Sequence, residues 1–153
     1  MEVLKVGGSV FYGWQHVNDA GWRPNQQPPG PAWARSWLGD DFFATVSYVS
    51  FNSQPVTDAA LDHIKAFSQL NQLWLFDANI TDSGLQRLQS LSQLEQLGLG
   101  NTKVTDAGLV HLEALKQLRV LGLNDTGITD IGLAHLQGLS RLQELCLIPI
   151  PLK

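Results

Sequence analysis

Ile80-Thr81-Asp82-Ser83-Gly84-Leu85 opens a stretch that continues Gln86-Arg87-Leu88-Gln89-Ser90-Leu91-Ser92-Gln93-Leu94-Glu95-Gln96-Leu97-Gly98-Leu99-Gly100-Asn101-Thr102-Lys103. The next residues, Val104-Thr105-Asp106, restart the same pattern, so the period is 24 residues. Working outward, the pattern starts at Val56, Ile80, Val104 and Ile128, each followed by Thr-Asp. Apolar residues keep register through all four units. One column is Leu61, Leu85, Leu109 and Leu133, and the next is Ile64, Leu88, Leu112 and Leu136. Phe67, Leu91, Leu115 and Leu139 follow, then Leu70, Leu94, Leu118 and Leu142. The last two are Leu73, Leu97, Leu121 and Leu145, and Leu75, Leu99, Leu123 and Leu147. Of the 25 leucines, 23 lie at or beyond residue 56, so the repeat is where the core must form.

Each unit changes its internal period. Leu85, Leu88 and Leu91 recur every three residues, the mark of a short buried helical face. Leu97 and Leu99 alternate at period two, the mark of a strand. Each unit therefore predicts one helix and one short strand. A 24-residue return brings successive strands back in the same sense, so they pair in parallel. No unit closes a core alone, and the units must stack. Thr81 reads as an N-cap, Asp82 sits in the first turn where the helix dipole favours a carboxylate, and Ile80 with Leu85 forms a hydrophobic staple. Thr57, Thr105 and Thr129 read the same way. A metal or catalytic array is the alternative for these Thr-Asp pairs; their shared register at a helix start favours capping.

The motif L-x-x-L-x-L-x-x-T-x-V-T-D-x-G-L-x-x-L-x-x-L resembles the leucine-rich repeat. Within that class it is similar to the T-D-x-G-L repeats of bacterial leucine-rich-repeat proteins and of the F-box leucine-rich proteins. The resemblance covers roughly residues 44–148. It implies a right-handed α/β solenoid, a horseshoe with parallel strands on the concave face and short helices outside. It also implies a protein-protein interaction module. F-box-type repeats often carry cysteine or asparagine after the strand; here those positions hold Ala78, Thr102, Thr126 and Ile150. No F-box segment is recognisable ahead of the repeats, so a substrate-recognition part of a larger adaptor stands as an alternative only. In some bacterial relatives a membrane anchor lies further upstream, so the expected location is cytoplasmic or, with such an anchor, attached to the cell envelope.

Residues 1–43 fall outside the frame and hold four of the five tryptophans, Trp14, Trp22, Trp33 and Trp37. They are expected to form an aromatic N-terminal cap over the open end of the stack, with an aromatic cage or sugar platform as the functional alternative. Ala32 to Leu38 predicts a short helix between Pro31 and Gly39. Ala44 to Phe51 predicts a leading strand, and Val10 to Tyr12 a further edge strand. The repeats are thus expected over 44–153, about four full units plus the leading strand. Beyond Leu147 the sequence Ile148-Pro149-Ile150-Pro151-Leu152-Lys153 holds no polar capping helix. Apolar surface at Ile148, Ile150 and Leu152 predicts weak self-association, and a structural, self-assembling solenoid unit is the second alternative for function.

Composition narrows the chemistry. Apolar residues make up 44% and charged residues only 16%, which excludes a disordered chain. The net charge of −4 argues against nucleic acid, whose binders present a basic face. No apolar run approaches the ~18 residues of a membrane span, so no membrane insertion by this chain is expected. The single cysteine, Cys146, excludes an internal disulfide framework. His63, His111 and His135 share one column with Arg87; a metal-binding row is the sharper reading and a consensus residue on the outer helical face the blander one. Gly98-Leu99-Gly100 lacks the third glycine of a dinucleotide loop. No phosphate-loop, zinc-protease or nucleophile-elbow motif occurs. No catalytic residue, metal ligand or cofactor is therefore expected, and the chain is not expected to be an enzyme.

The candidate surface is the row of side chains between the strand leucines. The first exposed column is Tyr48, Gln72, Gln96, Val120 and Glu144. The central one is Ser50, Trp74, Gly98, Gly122 and Cys146. The third is Asn52, Phe76, Gly100, Asn124 and Ile148. Trp74 and Phe76 are large aromatics beside three glycines, either folding over the gap those glycines leave or meeting a partner. The expected partner-binding set is Tyr48, Gln72, Trp74, Phe76, Gln96 and Asn124, for an unknown protein or peptide.

Overall fold

A computed structural model of the chain describes residues 9–12, 46–51, 56–65 and 67–147. The strands, in chain order, are β1 (Ser9–Tyr12), β2 (Val46–Ser50), β3 (Gln72–Trp74), β4 (Gln96–Gly98), β5 (Val120–Gly122) and β6 (Glu144–Cys146). The helices are α1 (Leu61–Ile64), α2 (Asp82–Leu88), α3 (Asp106–Leu109) and α4 (Asp130–Leu133). Only α2 is a full α-helix of seven residues; α3 and α4 tighten into 3-10 turns at Val110–Ala114 and Ala134–Leu136. The six strands form one sheet in sequence order. β2 to β6 run parallel, while β1 pairs antiparallel with β2. Trp14, Trp22, Trp33, Trp37 and the expected helix at 32–38 lie outside the described residues, as do Asn52, Ile148, Ile150 and Leu152.

The parallel register equals the sequence period. Leu73 aligns with Leu97, Leu97 with Leu121, and Leu121 with Leu145. The ladder continues one residue past each strand: Leu75 N donates to Gly98 O, Leu99 N to Gly122 O and Leu123 N to Cys146 O, each at 2.8 Å. The leucines beneath are sealed. Leu73, Leu97 and Leu121 are all 0% exposed, whereas Leu145 and Leu147 in the last unit are each 38% exposed. A quasi-one-dimensional stack behaves this way, because each unit is covered by its neighbour. One continuous core therefore runs from Val46 through Leu139.

The helix starts differ from the capping expectation. The Thr81 and Thr129 hydroxyls accept from the N–H of Ser83 and of Ile131, both at 3.3 Å. The Thr57 and Thr105 side chains make no such cap bond. The stronger contact joins adjacent units instead. Asp58 accepts from Thr81 N at 2.9 Å and from its hydroxyl at 2.6 Å. Asp82 accepts from Thr105 at 2.8 and 2.7 Å, and Asp106 from Thr129 at 2.7 and 2.6 Å. Each Thr-Asp pair thus closes a carboxylate clasp onto the helix start one unit further along.

The clasp explains the glycine two residues after each aspartate. A Cβ on Gly84 would lie 2.4 Å from Asp58 Oδ1, on Gly108 2.3 Å from Asp82 Oδ1, and on Gly132 2.2 Å from Asp106 Oδ1. The first described unit has Ala60 at this position. A second column turns the chain after each strand. Asp77, Asn101 and Asp125 have φ of 59°, 54° and 55°, a left-handed conformation that short Asx side chains tolerate. One position further along, the Thr102 and Thr126 hydroxyls donate to Leu99 O and Leu123 O, both at 2.7 Å.

Candidate functional site on the sheet face

The strand register builds the candidate face from three rows. Tyr48, Gln72, Gln96, Val120 and Glu144 align across β2 to β6, and so do Ser50, Trp74, Gly98, Gly122 and Cys146. Phe76, Gly100 and Asn124 lie two residues beyond the second row, on the same side of the sheet by strand alternation. Trp74 and Phe76 stack with ring centroids 5.5 Å apart and planes at 18°. Such offset stacking is the preferred arrangement for paired rings.

Both rings lean over β4. A Cβ on Gly98 would sit 2.3 Å from Trp74 Cε3 and 2.7 Å from Phe76 Cζ; one on Gly100 would sit 2.9 Å from Phe76 Cδ1. At Gly98 and Gly100 the rings themselves fill the gap, the first of the two options the sequence leaves open. Gly122 differs, since its nearest neighbours would be 3.7 to 3.9 Å away, ordinary contact distances. Trp74 and Phe76 are both half-buried, so part of each ring stays open to solvent above the glycine floor.

Of the expected binding residues, Tyr48, Gln72 and Gln96 form one row beside the ring pair. Asn124 lies past β5, about 10 Å from the β3 line at ~4.8 Å per strand. Its carbonyl accepts from Asn101 N at 2.8 Å, so Asn124 ties the segment after β5 to the turn after β4. No lysine or arginine occupies the described positions of these rows, and Glu144 is exposed. Asp77 and Asp125 follow the third row directly. On the opposite margin Arg119 bonds Gln143 Oε1 at 3.0 and 3.3 Å and lies 3.9 Å from Glu95.

The other candidates lie elsewhere. His111 Nδ1 is 2.7 Å from Gln89 Nε2, His135 Nδ1 is 2.8 Å from Glu113 Oε1, and Arg87 pairs with Asp62. These column members bond to side chains of the preceding unit rather than converging on one point. Among the described residues, no group of three or more His, Cys, Asp or Glu is placed to hold a metal ion. Cys146 is a free thiol, partly covered, next to Gly122 in the central row. The Asp106 carboxyl is held below its ordinary value by the Thr129 hydroxyl, then by the Thr129 and Gly132 N–H groups and nearby His135, against an opposing effect of burial. The aspartate clasp went unread in the sequence, although Ala60 breaking the glycine column of Gly84, Gly108 and Gly132 was its visible sign.

These features, five parallel strands in register with short helices behind them, define a leucine-rich-repeat solenoid with its strands on the concave face. Internalin C2 of Listeria monocytogenes strain 4b F2365 is similar in fold at 24% sequence identity and a TM-score of 0.51, covering 72% of this chain and 55% of that one. A second internalin of the same strain is 24% identical with a TM-score of 0.43, covering 56% of this chain and 30% of that one. The chain thus spans less than two thirds of the length of either. No family model and no curated protein matches the chain. No helix among the described residues is long and apolar enough to cross a membrane.

Proposed function

We propose that this chain is an interaction module that binds a protein or peptide on its concave sheet face. The observation that carries the reading is the stacked, half-open Trp74–Phe76 pair, set where the neighbouring rows hold glycine, serine and amide side chains. Aromatic side chains dominate interface energetics, and tryptophan is enriched at hot spots. Tyr48, Gln72 and Gln96 supply the adjoining polar rim, and Asn124 its far margin. The T-D-x-G-L type of repeat fits the subclass found in bacterial proteins, and the segment 1–43 serves as the N-terminal cap in this reading.

The test pairs two measurements on Trp74→Ala. Binding of the captured partner should weaken by at least ~2 kcal/mol, about thirtyfold, if Trp74 is a hot spot. The melting midpoint should fall only modestly, since the glycine floor stays partly covered by Phe76. A large drop in melting with partner capture intact would show that the rings serve packing alone.

A second reading is self-association. The leucines of the last described unit, Leu145 and Leu147, are each 38% exposed, while their counterparts in β3 to β5 are sealed. Such uncovered apolar surface favours contact with a second copy.

A further inference from the structure

We propose that the occupant of the concave face is an extended peptide segment carrying arginine, its guanidinium laid on the open side of the Trp74–Phe76 rings. A second basic side chain of the same segment points toward Glu144. This inference rests on the reading of the sheet face as the binding surface, and it adds the chemical class of the ligand.

Charge distribution carries the argument. The described positions of the three rows hold no cation, and Glu144 adds an exposed carboxylate to them. Asp77 and Asp125 border the third row. The one cation on the opposite margin, Arg119, is engaged by Gln143 and balanced by Glu95. The remaining described cations sit behind the sheet or in its connecting turns. Lys65 pairs with Asp62, Arg87 with Asp62, Lys116 with the Gly138 carbonyl and Arg141 with Gln117, while Lys103 lies in the turn after β4, two residues past Asn101. The described rows thus carry a single charge, the Glu144 carboxylate, on the same face as the aromatic slab. A cation above an aromatic face within ~6 Å is attracted by the ring quadrupole. Arginine suits the slab better than lysine, because its planar guanidinium stacks on rings and is more weakly hydrated.

Spacing favours an extended chain. β3 and β6 are three strand steps apart, about 14 Å at ~4.8 Å per step. An extended peptide covers that span in about four residues at ~3.3 Å each. Two basic residues about four apart therefore reach from the rings to Glu144 together. Complementary charge of this kind also speeds encounter and fixes register.

The experiment pans a random twelve-residue peptide library against the full chain, then measures the selected peptides by titration. Selected peptides should carry arginine with a second basic residue about four positions away. Replacing that arginine by citrulline, which keeps shape and removes charge, should weaken binding about tenfold. Glu144→Gln should weaken it about five- to tenfold, at an unchanged melting midpoint. Raising salt should weaken binding in the same direction. Selected peptides that are neutral or acidic, yet lose binding in Trp74→Ala, would overturn the arginine class and leave the face standing. Binders indifferent to Trp74, or no binders at all, would overturn both.

Discussion

Gly108 and Gly122 both sit in the repeat, but they answer to different neighbours. At Gly108 a methyl would meet Asp82 Oδ1 at 2.3 Å, inside the carboxylate clasp. Gly108→Ala should therefore destabilise by ~1–3 kcal/mol, the usual cost of overpacking a tight site. At Gly122 the same methyl meets atoms no nearer than 3.7 Å. Gly122→Ala should be neutral or stabilise by ~0.4–1 kcal/mol, through a less flexible unfolded chain. Urea unfolding of the two variants decides the matter, and equal midpoints would sink the clasp account of the glycine column.

Between elements, the Thr-Asp pairs link one helix start to the next. Thr105→Ala should cost ~1 kcal/mol, as the hydroxyl bond to Asp82 is lost and no cap bond exists to lose. The backbone N–H of residue 105 still reaches Asp82 in that variant, so the loss stays moderate. An unchanged melting midpoint would remove the hydroxyl from the account. The acid side gives an independent check. The Asp106 carboxyl is held below its ordinary value chiefly by the Thr129 hydroxyl. A lowered folded-state value means the stabilisation is full above the unfolded value near 4 and fades as pH falls through the folded value. Melting midpoints taken from pH 6 down to pH 2.5 should fall less steeply for Asp106→Asn than for the parent chain, and parallel curves would refute the link. Much of this architecture was legible in the sequence, because Leu73, Leu97 and Leu121 repeat in the register that the strands adopt. The clasp was not, because Thr-Asp at a helix start matches a local cap as well as a contact 23 residues away. The fit of Trp74 over Gly98 was legible only as one of two options, since a ring's lean across strands depends on rotamers that no spacing rule encodes.

At the scale of the whole solenoid, the two ends of the described stack differ. The first parallel strand, β2, is paired on its outer side by antiparallel β1, so a second copy does not meet a free parallel edge there. Ala60 also stands where a unit receiving a carboxylate clasp carries glycine, so the first unit of one copy is poorly shaped to seat the last aspartate, Asp130, of another. Head-to-tail growth, the heterologous contact that builds filaments, is therefore disfavoured. Contact between two last units around a two-fold axis is not. Such a contact would bury Leu145 and Leu147 of both copies and use the same patch twice, as a two-fold interface requires. Two leucines each 38% exposed supply little of the ~1,200 Å² of a stable interface, so association through them should be weak. Sedimentation over a wide concentration range should show monomer passing to dimer, with no larger species. Leu147→Lys should hold the chain monomeric at concentrations where the parent dimerises, its fold checked by circular dichroism. Steadily growing oligomers would reverse the assignment of the ends, and a parent chain that stays monomeric throughout would remove self-association altogether.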